Sequence, residues 1–355
     1  MKRFSTIFSL ILLAFILSAC ASLTTDTGTA KPKIGVILPL TGKAAEYGQS
    51  AREGIEFARQ KLKAAGKEFQ LIWEDDQLDP KQSVTAYHKL TKVDGVKIII
   101  GPIGSSNVLA LAPLADEQKI LILSPAVGAN EATAGHPYVY RFWPSKESQM
   151  LGLITWLGQQ GWQNIFAITA QNDSTLSALE VLERRFGKVA NRFVPPDAKD
   201  FRTILIEAKQ AKTDAIFLNL FIGQFASALK NYQELGLTIP VFASIIFDNQ
   251  AEIAASKDLI AEMVFASTAI YTAEFAQELN KTSGAEPGIA TASGYDAMMA
   301  VAKIATAADP KAALDNIGEI NGAIGKYRLD ENGDPTLESS PLKILRQGKV
   351  EHLKY

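Results

Sequence analysis

From Lys33 onward, short apolar runs alternate with amphipathic stretches, which predicts a parallel sheet covered on both faces by helices. Ile34–Leu38, Phe69–Trp73, Lys97–Ile100 and Ile120–Leu123 read as strands. Between the first two, Ala51, Ile55, Ala58 and Leu62 recur at helical spacing, while Arg52, Glu53, Arg59 and Lys63 take the opposite face and Gly66 supplies a stop. Asp79-Pro80 with Gln82 announces the next helix through a cap, a first-turn proline and a capping-box acceptor. Right-handed crossovers stack such βαβ units into one doubly wound lobe.

The rhythm restarts after Tyr138–Trp143. Helices are expected near residues 147–160, 176–186, 200–211 and 224–235, and strands near 165–169, 192–194, 215–220 and 241–244. Met263–Ala269 leads into helices near 273–281 and 288–307, and Asp330-Glu331-Asn332-Gly333-Asp334 carries a polar hairpin signal. Two successive αβ series of similar rhythm predict two lobes of related α/β architecture, each a doubly wound parallel sheet.

The start of the chain differs. Lys2 and Arg3 precede an apolar run from Phe4 to Leu17, too short to span a bilayer comfortably, which stops at Leu17-Ser18-Ala19-Cys20. Leu-Ser-Ala-Cys resembles the lipobox of bacterial lipoproteins, so residues 1–19 are expected to be a signal peptide. Cys20 is expected to be the lipidated new N-terminus and membrane attachment, with residues 20–32 forming a flexible tether. The protein would then be exported and lipid-anchored in the cell envelope. Ala21, rather than aspartate, follows the cysteine, which leaves outer-membrane sorting open for a Gram-negative source.

Composition narrows the function classes. The 355 residues are 47% hydrophobic and 21% charged, with 36 Lys+Arg against 38 Asp+Glu. The formal net charge of −2, or −4 once Lys2 and Arg3 are removed, gives no electrostatic reason to expect a nucleic-acid partner. One cysteine excludes an intrachain disulfide and CxxC chemistry, and three scattered histidines argue against a His-built metal site. No cofactor is expected. HExxH, GxSxG and GxxxxGK[ST] motifs are absent, and Asp75-Asp76 reads as solvated or cap-forming rather than as an acid/base pair, so the chain is not expected to be an enzyme.

Several spaced signatures together resemble the periplasmic leucine/isoleucine/valine-binding proteins. They are Ile34-Gly35-Val36, Leu40-Thr41-Gly42, Glu46-Tyr47-Gly48, Asp75-Asp76 with Asp79-Pro80-Lys81-Gln82, Ile100-Gly101-Pro102 with Ser105-Ser106, and Ser124-Pro125-Ala126. Weaker echoes are Asp200-Phe201-Arg202-Thr203, Gly294-Tyr295-Asp296-Ala297, and Leu329-Asp330 before Gly333-Asp334. The resemblance covers Lys33 to the C-terminus. It implies the type I periplasmic binding fold, with two lobes closing on a small solute about a three-strand hinge and an ABC permease as partner. The chain would cross near Ser145, Ala269 and Pro341, so that residues 33–145 plus 270–340 form one lobe and 146–269 plus 341–355 the other. The same scaffold also serves ligand sensors and regulatory lipoproteins of the cell envelope.

Ligands of parallel α/β sheets sit beyond the carboxyl ends of the strands. Ser105 and Ser106 open an apolar helical stretch, whose N-terminus suits a solute carboxylate, although Ser105 serving only as a helix cap uses the same geometry. The resemblance implies that Ala126 presents backbone groups to the solute and that Tyr47 lines the mouth of the first lobe. Tyr47 as a surface aromatic in a mobile loop is the other reading. Three positions depart from the amino-acid-binding pattern, and a fourth keeps an aromatic. Gly128 stands where the family places a hydroxyl, Ser174 stands at a cleft tyrosine, Phe221 takes another aromatic position, and Ile245 replaces the acidic partner of an α-ammonium, with Asp248 three residues on. A buried ammonium without that carboxylate costs several kcal/mol. The expected solute is therefore a carboxylate- or amide-bearing molecule other than a simple α-amino acid. Phe221 and Trp143 either pack against it or belong to the core.

Overall fold

The computed structural model describes residues 31–337 and 341–353. The expected signal, Cys20 and most of the tether lie outside the described residues. Continuous apolar runs form the buried strands, and amphipathic segments between them form helices that cover the sheet faces.

The first series runs β1 (Lys33–Leu38), α1 (Ala45–Ala64), β2 (Gln70–Asp75), α2 (Pro80–His88), β3 (Ile98–Ile100), α3 (Ser105–Gln118), β4 (Leu121–Ser124) and β5 (Val139–Arg141). These strands make one parallel sheet in the order β2-β1-β3-β4-β5. Asp79 caps α2 by accepting from the Lys81 and Gln82 N–H groups, with Pro80 at the first helical position.

The second series runs α4 (Lys146–Gln160), β6 (Ile165–Ala170), α5 (Asp173–Phe186), β7 (Val189–Val194), α6 (Arg202–Gln210), β8 (Ala215–Asn219), α7 (Phe225–Glu234), β9 (Val241–Ala243), α8 (Gln250–Ser256) and β10 (Glu262–Ala266). The chain then adds α9 (Ala273–Ser283), α10 (Thr291–Ile304), α11 (Pro310–Asp315), the small hairpin β11 (Ile320–Gly322) and β12 (Gly325–Tyr327), and finally β13 (Leu342–Arg346) and β14 (Lys349–Leu353). The second sheet has the order β14-β13-β10-β9-β8-β6-β7. Its β6 to β10 pairs are parallel, but β13 runs antiparallel to β10 and to β14. A parallel sheet thus carries an antiparallel hairpin at one edge.

The helical segment after β10 returns to the first sheet. α10 packs along α1 so closely that a Cβ at Gly54 would lie 1.8 Å from the Thr291 carbonyl oxygen. One turn further, Asp296 is 2% exposed and accepts from the N–H groups of Ala323 (2.6 Å) and Ile324 (3.1 Å), tying α10 to the β11–β12 hairpin. Burial pushes its carboxyl up to about 6. The acidic turn at 330–334 is closed by a Leu329–Pro335 bridge, and its Asp334 pairs with the fully buried Arg141 of β5 through two oxygens, at 2.7 and 2.9 Å. A two-point pair of this kind holds a guanidinium in one orientation.

Candidate solute-binding site

Residues that follow the carboxyl ends of β1, β3 and β4 in one sheet, and of β6, β8 and β9 in the other, line a single cavity of about 230 Å³. Tyr47, Ser105, Ser106, Ala126, Gly128, Ser174, Phe221 and Ile245 all line it, together with Trp143. These positions are dispersed over two hundred residues of sequence, and the switch from strand to loop at each strand end is what brings them together.

Ser105 is not the cap of α3. Gly104 holds that position at φ 91°, a conformation that favours glycine, and makes no side-chain cap. The Ser105 hydroxyl instead accepts from the Ala129 N–H (3.0 Å), joining the start of α3 to the loop that carries Ala126 and Gly128. The first intrahelical bond nearby is Val108 N–H to the Gly104 carbonyl (3.0 Å), so the N–H groups of residues 105–107 precede the helical ladder, as at any helix N-terminus. Ser106 donates to Asp173 Oδ2 (2.6 Å), and Asn172 Nδ2 donates to it (3.4 Å), both at the start of α5. A second contact of this kind is the donation from Asn249 Nδ2 to Glu46 Oε2 (2.7 Å). Elements of the two sheets are therefore hydrogen-bonded across the cleft, the arrangement of a closed form.

Tyr47 lies in the first turn of α1 rather than in a loop, and burial pushes its phenol up, with the Asp248, Glu46 and Glu252 carboxylates acting in the same direction. Trp143 is 4% exposed, lines the cavity and packs into the core, so both readings of that aromatic hold at once. Phe221 is partly buried and lines the opposite wall.

Among the described residues, no Asp or Glu lines the cavity. Asp248, the carboxylate nearest in sequence to Ile245, is committed elsewhere. It accepts from Thr268 N–H (2.6 Å), Thr268 Oγ1 (2.9 Å) and Ser267 Oγ (3.1 Å), and it pairs with Lys343 of β13 at 2.9 Å. Asp75 and Asp76 are likewise engaged. Asp75 accepts from Thr41 Oγ1 (2.6 Å) and Leu40 N–H (2.9 Å), and the fully buried Asp76 accepts from Ser83 Oγ (2.7 Å) and Asn107 Nδ2 (3.2 Å). Asp76 is thus neither solvated nor free for proton transfer.

Sequence reasoning missed Lys146. At the N-terminus of α4 it reads as a solvated charge, yet it is 2% exposed and lines the cavity. Its ammonium donates to Gln149 Oε1 (2.7 Å) and Ser174 Oγ (3.1 Å). Burial, and then the nearby Arg141 charge, pull it down to about 7. The missing side chain at Gly128, read in the sequence only as a lost hydroxyl, leaves the space that the lysine fills. A Cβ there would stand 2.7 Å from Lys146 Nζ.

The periplasmic binding protein model matches residues 31–343. The Leu/Ile/Val-binding protein BraC3 of Rhizobium johnstonii is 24% identical over 339 residues, covering 89% of this chain and 92% of that protein. Among solved structures, a leucine-binding protein from Thermotoga maritima superposes with a TM-score of 0.82 at 24% identity, covering 91% of this chain and 97% of that one. A solute-binding protein of an ABC transporter from Rhodopseudomonas palustris BisB5, in complex with 3,4-dihydroxybenzoic acid, gives 0.76 at 24% identity, covering 91% and 96%. Fold, cleft and match over nearly the whole described chain agree: this chain belongs to the periplasmic binding protein family, as a solute-binding protein of the Leu/Ile/Val-binding type and not an enzyme.

Proposed function

We propose that the protein captures a small carboxylate- or amide-bearing solute between its lobes and hands it to an ABC permease, held to the membrane through lipid on Cys20. In this reading residues 33–145 plus 270–340 and 146–269 plus 341–355 act as the two jaws. The eight candidate residues, Tyr47 through Ile245, form the contact surface. The observation that carries it is a cavity without any acidic side chain, opened by the N-terminus of α3 on one side and walled by Trp143, Phe221 and Ile245. An α-ammonium would be buried there unpaired, whereas a carboxylate or amide oxygen meets helix N–H donors and the Ser105 hydroxyl. Three of the structural relatives point the same way, being complexes with 3,4-dihydroxybenzoic acid, benzoate and 4-hydroxybenzoate, while others were solved with isoleucine or leucine. A cleft that keeps a cavity, rather than a collapsed one, also favours capture of a small free solute over a protein-docking role.

Thermal shift across amino acids, carboxylates and amides tests the reading, since a ligand that binds only the folded state raises its apparent stability. Stabilisation by carboxylates or amides, with native mass spectrometry finding such a molecule in the purified protein, is the expected result. No stabilising solute in any class would refute it.

A further inference from the structure

Lys146 is a buried lysine with no counter-ion among the described residues. Its two hydrogen-bond partners, Gln149 and Ser174, are neutral. An ammonium carries three N–H donors, and the third has no acceptor among the described residues. The position adds to the cost. Lys146 occupies the first turn of α4, where the helix dipole disfavours a cation, and Arg141 repels it.

The charged groups on the elements packed around it are already engaged. Arg141 of β5 is paired with Asp334 and donates to the Gly128 carbonyl (3.1 Å). Asp173 of α5 receives the Ser106 hydroxyl, and Glu131, after β4, receives Ser177 Oγ (3.1 Å). Glu147, next in α4, pairs with Arg184 and Arg185. None of them neutralises Lys146. Its ammonium is instead pressed against Gly128, in the loop that Ser105 holds through Ala129. Among the described residues, Lys146 is thus a cation without a counter-ion that lines the same cavity as Gly104, Ser105 and Ser106 at the start of α3. The acidic position implied by the family resemblance is an isoleucine, Ile245, which lines the same cavity.

We propose that Lys146 is the charge partner of the solute: the molecule held in the cleft is a small organic anion whose carboxylate lies between the Lys146 ammonium and the N-terminus of α3, with its apolar body against Trp143, Phe221 and Ile245. This rests on the capture reading above and narrows its solute class from carboxylates and amides to anions. Because the unliganded ammonium loses its proton near neutral pH, fixing it in the charged form draws a proton from solvent when the anion binds. Affinity is then full below about pH 7 and falls as the pH rises above it.

The test is titration calorimetry of the purified protein at pH 7 with aliphatic and aromatic monocarboxylates, benzoate and 4-methylpentanoate among them, against benzamide, 4-methylpentanamide and leucine. The carboxylates should bind and the amides should bind at least about tenfold more weakly, as expected when an ion-paired hydrogen bond is replaced by one to a neutral acceptor. Lys146→Met should lower carboxylate affinity roughly ten- to hundredfold, lower amide affinity by a smaller factor, and melt no earlier than the parent without ligand. Lys146→Gln, which keeps polar contacts but not the charge, should show the same loss and guards against a folding defect in the first variant. At pH 7.5, calorimetry in buffers of differing ionisation enthalpy should show proton uptake in the parent and none in either variant. Undiminished carboxylate affinity in both variants overturns the assignment, as does binding of amides or leucine with carboxylates excluded. Undiminished affinity in the variants or amide binding leaves the capture reading standing, whereas leucine binding counts against that reading too, because it buries an α-ammonium. Absence of binding throughout this panel and the wider thermal-shift screen overturns both.

Discussion

Raising the pH from 7 to 9 should stabilise the ligand-free protein through a single side chain. The Lys146 ammonium titrates near 7 in the folded state, against 10.5 when unperturbed, because burial first and the Arg141 charge second disfavour it. Between those values the unfolded chain holds a proton that the folded chain has released, so stability rises with pH across that window and flattens beyond it. At 1.36 kcal/mol per pKa unit, the folded state carries a penalty of about 4 kcal/mol at pH 7, and about 2 kcal/mol of it is relieved by pH 9. Other groups titrate over the same range, so the informative quantity is the difference between the parent and Lys146→Met, which keeps the packing volume and removes the charge. Urea unfolding followed by circular dichroism and extrapolated linearly to water measures it at each pH. The variant should be more stable than the parent at pH 7, by ~1–4 kcal/mol, and the gap should narrow by about 2 kcal/mol at pH 9. Parallel pH profiles for the two proteins, or a variant weaker at pH 7, would refute the reasoning that a charge is stored in the cleft at the expense of stability.

Three further substitutions probe the architecture around that charge. Gly128→Ala places a Cβ 2.7 Å from Lys146 Nζ and 3.2 Å from Ser174 Oγ; the ammonium must move, and calorimetry should show carboxylate affinity falling roughly tenfold while the fold persists. Asp248→Ala strands Lys343 and removes the acceptor of the Thr268 N–H, so chemical denaturation should register a loss of about 3–5 kcal/mol, whereas a loss under ~1 kcal/mol would mean that water screens the pair. Gly54→Ala drives a methyl to 1.8 Å from the Thr291 carbonyl oxygen and forces α1 and α10 apart; its melting temperature should drop by an amount corresponding to about 1–3 kcal/mol, and an unchanged melt would contradict the close crossing.

The central strands were legible because each is an apolar run enclosed by turn residues. β1, β3 and β4 fall where periodicity puts them. β2 starts one residue late and continues through Glu74 and Asp75, since an edge strand pairs on one side only and its polar residues can face outward. The β13–β14 hairpin escaped notice for a related reason. β14 is mostly exposed and its Lys-Val-Glu-His pattern carries little apolar signal. Its turn, Gln347-Gly348, has φ of 48° and 75°, the twist of a tight hairpin, but Gln-Gly is a weaker signature than Asn-Gly. The convergence of the eight cleft positions followed from strand-end logic and family resemblance together. The burial of Lys146 could not be read locally, because a lysine beside a helix start is ordinarily solvated and only tertiary packing says otherwise.

Exchange of the solute class on this scaffold requires no change in the sheets. Every cleft residue discussed here follows a strand or begins a helix, while the strand interiors that pack the lobes are separate residues such as Val36, Ile100, Ile168 and Phe217. Three positions then shift the charge balance of the cleft in one direction. Ile245 supplies no negative charge, Lys146 supplies a positive one, and Gly128 yields the volume that the lysine needs. None of the three is sufficient alone. An isoleucine without the lysine would leave a neutral apolar slot, and the lysine without the glycine would meet a side chain at 2.7 Å. In the anion reading proposed above, their joint presence sets this cleft apart from an amino-acid site and makes Gly128 and Lys146 a coupled pair. In a double-mutant cycle the cost of Gly128→Ala to carboxylate binding should largely vanish in the Lys146→Met background, where no ammonium remains to be displaced; additive losses would mean that the two residues act independently.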